Sequence, residues 1–230
     1  MKITYYGHDA FLVENDGTRI IIDPFLSGQD DTTGKIPDPE DIEVSYILLT
    51  HAHSDHFGDT LAIARKNDAT VIAPFEVAMI CQAEGCKVHA MHIGGGFNFD
   101  FGRVKLTIAH HGSGYQTANG MEYGGNPCGL LLTMGGKTVY HAGDTGLFLD
   151  MKLIGEMTSI DAALLPIGDN FTMGVEDAVM AVSLLNPVLA IPMHYNTFPV
   201  IETDPNEFVR QVESRGKKGK VMAIGESLEI

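Results

Sequence analysis

Three histidines and one aspartate lie within six consecutive positions of the chain, and all four side chains can bind a transition metal. The window reads Thr50-His51-Ala52-His53-Ser54-Asp55-His56. Imidazole nitrogen and carboxylate oxygen are ligands that zinc, manganese and iron accept. A solvated loop that is rich in histidine by accident is the alternative interpretation. Four donors in so short a loop, directly after an apolar segment, favour metal binding over that alternative.

Further histidines and an aspartate follow predicted strands elsewhere in the chain. These residues are His110 and His111 after strand 104–109, Asp144 after the strand that ends at His141, and His194 after strand 188–192. Loops at strand ends are the places where open-sheet proteins assemble sites from segments that are distant in sequence. A mononuclear site needs only three or four protein ligands. The number of donors therefore predicts a site for two metal ions.

His110 and His111 are adjacent, and only one of them is expected to bind a metal ion. If both residues lay in a strand, their side chains would point to opposite faces of the sheet. The residues by themselves leave open which of the two faces the site.

The elements that must position these residues alternate between strands and helices. The first strands, 3–6, 10–14 and 18–22, form a meander in which Asp16-Gly17 is a strong hairpin signal. Further strands are predicted at 44–50, 70–73, 87–91, 97–101, 104–109, 129–134, 137–141, 162–166, 188–192 and 220–224. Helices are predicted at 59–66, after Pro74, near Met151, at 175–185 and at 205–214. This order predicts one domain over residues 1–230, of the α/β or α+β class, in which helices flank mixed sheets.

The composition excludes several classes of protein. The chain of 230 residues has 15 basic and 30 acidic residues, a formal net charge of −15, and 44% hydrophobic residues. Such a composition is typical of a folded domain, and the acidic balance disfavours a nucleic-acid surface because clustered Lys and Arg bind phosphate backbones. Three cysteines cannot all pair within the chain, and we find neither a signal peptide nor an apolar run of membrane-spanning length. We therefore expect a cytoplasmic protein without a membrane or nucleic-acid partner.

The order of the donors resembles the signature of the metallo-β-lactamase superfamily, which is His-x-His-x-Asp-His followed by a distant His, a bridging Asp and a final His. The resemblance covers the whole chain. Four segments are similar to a branch of small, stand-alone metal-dependent hydrolases that includes ascorbate-6-phosphate lactonase-type enzymes: Tyr6-Gly7-His8, Ile21-Ile22-Asp23-Pro24-Phe25, His141-Ala142-Gly143-Asp144-Thr145 and Pro192-Met193-His194-Tyr195-Asn196. The resemblance implies a four-layer αββα sandwich of two mixed sheets flanked by helices.

The resemblance also implies how the metal ligands divide. One ion would be bound by His51, His53 and His111, the other by Asp55, His56 and His194, and Asp144 would bridge the two. Members of the fold that reduce oxygen usually have Glu at the position of His53 and carry a flavin domain, so redox chemistry is not expected here. Two ions that share a water lower its pKa, and the resulting hydroxide is a nucleophile. We therefore expect hydrolysis of an ester, lactone, thioester or phosphodiester, with Asp55 orienting the hydroxide as well as binding metal.

Residues outside this ligand set carry weaker signals. His8 could act as a proton donor or contact the substrate, and a buried, hydrogen-bonded histidine is the alternative. Asp59 could support a ligand histidine from outside the site, or it could be an exposed acid in the first turn of a helix. Four candidate substrate contacts follow a predicted strand or a predicted ligand: Asp169, Asn170, Tyr195 and Asn196. For the last two, a purely structural turn is the alternative.

Two other functions compete with the hydrolase. A catalytically silent metal-binding or regulatory module on the same fold would typically have lost a ligand, and here all seven are present. A nuclease or phosphodiesterase that acts on nucleic acid is disfavoured by the charge. The ligand types fit two divalent ions, for which zinc is our first expectation and manganese or iron the alternatives. We expect a small-molecule substrate, and the resemblance further implies a homo-oligomer.

Overall fold

Two mixed β-sheets form the centre of the fold in a computed structural model, which describes residues 1–230. The first sheet contains seven strands: β1 (Lys2–Tyr5), β2 (Phe11–Asn15), β3 (Thr18–Ile22), β4 (Tyr46–Leu48), β5 (Thr70–Pro74), β6 (Lys87–Met91) and β15 (Ser227–Glu229). Their order across the sheet is β15-β1-β2-β3-β4-β5-β6. Neighbours are antiparallel from β15 to β3 and parallel from β3 to β6.

The second sheet contains six strands: β7 (Gly96–Phe99), β8 (Gly102–Ile108), β11 (Cys128–Met134), β12 (Lys137–His141), β13 (Ala162–Pro166) and β14 (Leu189–Met193). Their order is β14-β13-β12-β11-β8-β7, with parallel pairing among β12, β13 and β14 and antiparallel pairing elsewhere. Two further strands, β9 (Gly114–Thr117) and β10 (Gly120–Tyr123), form a separate hairpin.

Helices cover the outer faces of both sheets. They are α1 (Ser54–Phe57), α2 (Thr60–Asn67), α3 (Phe75–Ala83), α4 (Met151–Met157), α5 (Val175–Leu185) and α6 (Pro205–Ser214), with short 3₁₀ helices at Pro39–Asp41 and Pro199–Ile201. One buried cluster joins α2 and α3 to the first sheet, another joins α4, α5 and α6 to the second, and a third lies between the sheets. This arrangement confirms the four-layer αββα sandwich. None of these helices has the length and apolar composition needed to cross a bilayer.

Strand β3 shows why this sequence forms an inner layer. Ile20, Ile21 and Ile22 are all fully buried. Ile20 and Ile22 belong to the cluster between the sheets, whereas Ile21 belongs to the cluster under α2 and α3. Successive side chains of a strand point to opposite faces, so a strand that is buried on both faces needs an unbroken apolar run. Burying each side chain contributes about 1.5–3 kcal/mol, and the strand ends directly before Asp23, which is also fully buried.

The predicted strand at 220–224 is wrong. At the start of this segment, Ala190 N–H of β14 in the second sheet donates to Lys218 O, and Lys220 N–H donates to Ala190 O. After it, Gly225 N–H donates to Tyr5 O, beside β1 of the first sheet. The segment therefore crosses from one sheet to the other and cannot keep its backbone in one ladder. The last strand is instead β15, which pairs with β1.

The hairpin β9–β10 was not predicted from the sequence. Its strands are mostly partly or fully exposed, and polar residues dominate its first strand. Only Tyr115 of these strands packs on a buried cluster, so they show no regular apolar alternation, which is the pattern that predicts strands.

Candidate metal centre

The motif of three histidines and an aspartate occupies the turn between β4 and α1. His51 and His53 lie before the helix, and Asp55 and His56 lie inside it. The carbonyl of His53, the residue that precedes the helix, accepts a hydrogen bond of 3.0 Å from the His56 N–H. This tight turn is what brings side chains spaced by one and two residues to the same end of the sheet.

A first cluster of donor atoms forms around His51, His53, His111 and Asp144. One donor atom of each residue lies within 4.8 Å of the others. The His51 Nε2 and His53 Nδ1 atoms are 2.9 Å apart, and the His111 Nε2 atom is 3.3 Å from the same His53 Nδ1. Three imidazoles and a carboxylate that converge in this way match the donor number and donor types of a transition-metal site.

A second cluster contains Asp55, His56, His194 and, in addition, His8. These four residues also place one donor atom each within 4.8 Å of one another. The His8 Nε2 atom is 3.2 Å from Oδ2 of Asp55, and the His8 and His194 ring centroids are 4.1 Å apart. The structure therefore brings together all seven residues of the expected ligand set and adds an eighth donor.

Asp144 lies between the two clusters and faces both with its carboxylate. Its Oδ1 atom is 3.3 Å from Nε2 of His56, a member of the second cluster. Its Oδ2 atom is 3.3 Å from Nε2 of His111 in the first cluster and 3.1 Å from Nε2 of His194 in the second. A carboxylate in this position can bind two metal ions at once.

Several buried atoms of the clusters have no hydrogen-bond partner, and this tests whether metal ions fit. They are Nε2 of His56, Oδ1 of Asp144 and both ring nitrogens of His194. Buried polar atoms without partners are costly and rare in folded proteins. The His56 and Asp144 atoms are close but are not aligned for a hydrogen bond, as expected of donors that aim at a common third atom. The residues therefore fit a pair of divalent cations.

Asp144 is electrostatically paired with two histidines of the centre. Burial alone would raise the pKa of Asp144, but the His56 and His194 imidazoles hold it well below its usual range. Burial lowers the pKa of the His51 imidazole well below its usual value. Burial alone would lower the pKa of His56 and His194, but Asp144 raises both, so metal binding would displace protons from these two imidazoles.

Asp23 orients two ligand histidines from outside the metal centre. It was not among the site residues predicted from the sequence. Its Oδ2 atom is 2.8 Å from Nδ1 of His56 and accepts a hydrogen bond of 2.6 Å from the Thr50 hydroxyl. The Thr50 hydroxyl is in turn 3.0 Å from Nδ1 of His51. With both Nδ1 atoms occupied, Nε2 of each ring is left for metal. Asp23 could have been found from its position directly after β3. Because β3 and β4 are parallel neighbours that end at the same level, the residues that follow them lie at the same end of the sheet.

His141 and Asp9 support the turn that carries Asp144. Nε2 of His141 donates to the Asp9 carbonyl at 3.0 Å, and Nδ1 accepts from the Gly143 N–H at 3.1 Å. Both nitrogens of His141 are therefore used by the backbone. The Asp9 carboxylate is fully buried without a hydrogen-bond partner, 3.8 Å from Nδ1 of His56, and burial raises its pKa to about 8.

The structure distinguishes the two adjacent histidines that follow β8. The strand ends at Ile108, so neither histidine lies in it. His111 reaches the first cluster, whereas His110 is exposed and stacks on the Phe148 ring at a centroid distance of 5.1 Å. Asp144 is close to His111 and not to His110 because the turn after β8 directs the second histidine toward the end of β12.

Asp59 does not contact a ligand histidine. It precedes α2, and its Oδ2 atom accepts hydrogen bonds of 2.9 Å from the N–H groups of Leu26 and Ser27. Its Oδ1 atom accepts a further bond from the Ser27 hydroxyl. Asp59 therefore fixes the turn that follows Asp23, two steps away from the metal ligands.

The four candidate substrate contacts lie on two turns beside the centre. The turn at 169–173 rests on the residue after Asp144, because the Met173 N–H donates to the Thr145 carbonyl. Asp169 and Asn170 have φ values of 59° and 43° in this turn. The Asn196 side chain accepts a hydrogen bond of 2.8 Å from the Thr203 N–H, which closes its own turn. Burial raises the pKa of Tyr195 to about 12, and its phenol pairs with that of Tyr5. 

The centre is open on one side. Three ligands are partly exposed and four are buried: His53, Asp55 and His111 against His51, His56, Asp144 and His194. The hairpin β9–β10 begins beside the open side, where the Ala52 N–H donates to the Ser113 hydroxyl at 3.1 Å. The Tyr115 ring of this hairpin packs on Phe57 of α1 at a centroid distance of 5.5 Å.

A cavity of about 560 Å³ adjoins the centre at His8. Tyr195 and Asn196 line it, together with Gln29, Thr197 and other residues, and no lysine or arginine is among them. A cavity of this size accommodates a small molecule, and its lining provides hydrogen-bonding groups but no fixed positive charge.

Comparisons with known proteins agree with this geometry. A family profile described as "Beta-lactamase superfamily domain" matches residues 2–194, so the match ends at the last predicted ligand. The chain is 54% identical to a UPF0173 metal-dependent hydrolase of Anoxybacillus flavithermus and 53% identical to one of Bacillus cereus, and each alignment covers 100% of both chains.

Among solved structures, the chain is similar to Igni18, described as a novel metallo hydrolase from the hyperthermophilic archaeon Ignicoccus hospitalis. The TM-score is 0.89 at 41% identity, covering 100% of this chain and 98% of that chain. These findings confirm the resemblance, the fold and the hydrolase class inferred from the sequence. The chain belongs to the beta-lactamase superfamily, within the UPF0173 family of metal-dependent hydrolases.

Proposed function

We propose that this chain is a dinuclear metal-dependent hydrolase of small molecules that cleaves an ester, lactone, thioester or phosphodiester bond. The observation that carries the proposal is the position of Asp144. Its two carboxylate oxygens face His56 in one donor cluster and His111 in the other, at 3.3 Å each. A single ion would leave one of the two clusters, and its buried nitrogens, without a partner.

The residues that would hold the ions follow from the two clusters. His51, His53 and His111 would hold one ion, Asp55, His56 and His194 the other, and Asp144 would contact both. When bound, two divalent cations supply an activated water and polarise the oxygen of the bond to be cleaved. The donor set consists of imidazoles and carboxylates only, which suits zinc, manganese and iron.

Asp55 is the residue that can orient the attacking water. It lies on the open side of the centre, where its side chain is partly exposed. Burial alone would raise the pKa of Asp55, but the His8 and His56 imidazoles beside it hold it below its usual range. An ionised carboxylate at this place accepts a hydrogen bond from the water and fixes its direction of attack.

The surroundings support a small substrate rather than a nucleic acid. The cavity beside His8 has no lysine or arginine in its lining, and the chain carries a net charge of −15. Binding of a phosphate backbone depends on clustered cationic side chains. Asp169 and Asn170 on one turn, and Tyr195 and Asn196 on the other, remain our candidates for substrate contacts.

The test is hydrolysis by metal-free protein that has been reloaded separately with Zn²⁺, Mn²⁺ or Fe²⁺. A lactone, a thioester, an aryl phosphodiester and a β-lactam represent the bond classes. We expect turnover of one class, lost in Asp144→Ala and kept in Asp150→Ala, a matched change at an exposed position before α4. Two bound ions without hydrolysis of any class would favour the silent metal-binding module instead.

A further inference from the structure

We propose that His8 is itself a ligand of the ion held by Asp55, His56 and His194. The inference rests on the dinuclear centre of the proposed function and adds a sixth imidazole to it. His8 comes from the turn between β1 and β2, far in sequence from every other ligand, and the expected division of ligands does not include it.

The first support is the place of the ring. His8 is 1% exposed, one of its ring nitrogens lies within 4.8 Å of the other donor atoms of the second cluster, and its Nε2 atom is 3.2 Å from Oδ2 of Asp55. Its ring centroid is 4.1 Å from that of His194 and 5.4 Å from that of His56. The buried His8 nitrogen therefore lies as close to the three other donors as the 4.8 Å limit requires of each of them.

The second support is the hydrogen-bond pattern of the ring. Nδ1 of His8 is bonded to the Thr197 hydroxyl at 2.9 Å, which leaves Nε2 facing the centre. His51 and His56 show the same pattern, with Nδ1 bonded to Thr50 and Asp23 respectively. Metal-binding histidines usually have their second nitrogen fixed in this way. His141, by contrast, spends both nitrogens on the backbone and has none left for metal.

The third support is the rigid backbone at this position. His8 has a φ of 51°, in the left-handed region that few residues other than glycine adopt. Its carbonyl accepts hydrogen bonds from the His194 N–H at 3.1 Å and from the Tyr5 hydroxyl at 3.3 Å. Such strain persists where the surroundings fix a functional side chain, and here the fixed partner is another ligand of the same ion.

Two other roles of His8 fit the geometry less well. A proton donor must reach the substrate, and although His8 lines the cavity, only 1% of its surface is exposed, with the Phe25 and Phe198 rings beside it at centroid distances of 5.6 and 5.7 Å. If His8 did not bind the ion but only supported a ligand, its Nε2–H would donate a hydrogen bond to Oδ2 of Asp55, which is 3.2 Å away. The Thr197 hydroxyl, however, donates to the Tyr195 carbonyl at 3.5 Å, so Nδ1 of His8 carries the proton of the neutral ring and Nε2 has none to donate.

Binding by His8 makes the two ions unequal. The ion in the first cluster has four protein donors, His51, His53, His111 and the shared Asp144. The ion in the second would have five, because His8 would join Asp55, His56 and His194, and because Asp144 lies 3.3 Å from His56 and 3.1 Å from His194. Together with a shared water, five protein donors would complete a six-coordinate site. Because zinc in proteins usually has four ligands, the second position would favour manganese, iron or cobalt over zinc.

The test uses the full chain loaded with Co²⁺, whose unpaired electrons shift the NMR signals of bound imidazoles far outside the ordinary range. We expect the unaltered protein to show shifted signals from six histidines and His8→Gln to show five. The matched control is His110→Gln, which changes an exposed histidine outside the clusters and should keep all six. We also expect dialysis to show weaker binding of one Co²⁺ in His8→Gln and unchanged binding of the other.

A second variant guards against misfolding of His8→Gln. Thr197→Val leaves the His8 ring in place but removes the hydroxyl on its Nδ1, so it should move one shifted signal without removing it. Two bound Co²⁺ with shifted signals from only five histidines, none of them altered by Thr197→Val, would overturn this inference and leave the dinuclear hydrolase intact. Binding of a single Co²⁺ without any contribution from the second cluster would overturn both.

Discussion

The carboxylate of Asp23 lies 2.8 Å from Nδ1 of His56 and fixes the direction of that imidazole from outside the metal centre. Asp23 also accepts hydrogen bonds from the Thr50 N–H at 2.9 Å and from the Thr50 hydroxyl at 2.6 Å. Since the same hydroxyl reaches His51, one buried carboxylate positions a ligand in each cluster. The ends of β3 and β4 are thereby tied together at the centre.

Asp23→Asn should therefore weaken metal binding without removing a ligand. The amide has one oxygen in place of two, so it cannot accept from the Thr50 N–H on one side and from His56 and the Thr50 hydroxyl on the other. We expect affinity for one or both ions to fall by roughly 10- to 100-fold, as for other outer partners of metal-binding histidines. Competition with a chromophoric chelator measures this. Asp161→Asn, at a carboxylate bonded to Thr138 and Lys137, should bind metal normally; equal losses in both variants would contradict the role of Asp23.

The adjacent pair His110 and His111 provides a second test. His111→Ala removes a donor of the first cluster, and hydrolysis should fall by more than about 100-fold because a lost ligand costs more than a lost outer partner. One of the two ions should be missing when metal content is measured. His110→Ala trims an exposed ring that stacks on Phe148 and should stay within about twofold of the unaltered enzyme. A reversed result would show that His110 is the ligand.

Gly143 should be irreplaceable for a reason of space. A Cβ atom there would lie 2.8 Å from the Cys128 carbonyl oxygen and 3.0 Å from Cβ of Thr50, on the residue next to Asp144. Gly143→Ala should displace the bridging carboxylate and lower both the melting temperature and the metal content. Gly136 has a similar positive φ, 76° against 60°, but open space around it.

Gly136→Ala is therefore the matched control for that change. It should cost only the backbone strain, about 1 kcal/mol, and leave metal content at the level of the unaltered protein. Thermal unfolding and metal analysis of the two variants separate the effect of backbone strain, which both share, from the effect of the close contacts at Gly143. If both variants lost metal alike, close packing beside Asp144 would not be the cause.

The thiols of Cys81 and Cys128 should not react with alkylating reagents in the folded protein. Burial raises the pKa of Cys81 to about 12 and that of Cys128 well above its usual range. A raised pKa keeps a thiol protonated, so at pH 8 the reactive thiolate of Cys81 is about 10³-fold scarcer than in an unfolded chain. Alkylation followed by mass spectrometry should find both residues unmodified in the native state and modified in urea. Rapid native modification of Cys81 would show that its helix opens readily.

The sequence alone determined the parts of this protein that depend on local spacing. The His-x-His-x-Asp-His window needs only one tight turn after a strand, and the unbroken isoleucines of β3 needed burial on both faces wherever the strand was placed. Donors such as Asp144 and His194 were found because each follows an apolar strand. These local features were enough to predict an α/β or α+β domain with a two-metal site, whereas the four-layer fold and the hydrolase family were implied by the resemblance that the order of the donors carries.

Only the tertiary structure decided which groups meet across the sheet ends. Asp23 and His8 became parts of the centre because β3 pairs with β4, and because the turn after β1 meets the turn after β14, where the His194 N–H donates to the His8 carbonyl. The segment 220–224 lost its predicted strand for the same reason, since it spans two sheets. The pattern of apolar side chains indicates which face of a strand or helix is buried. The pairing of strands that are distant in sequence determines which residues lie next to each buried donor.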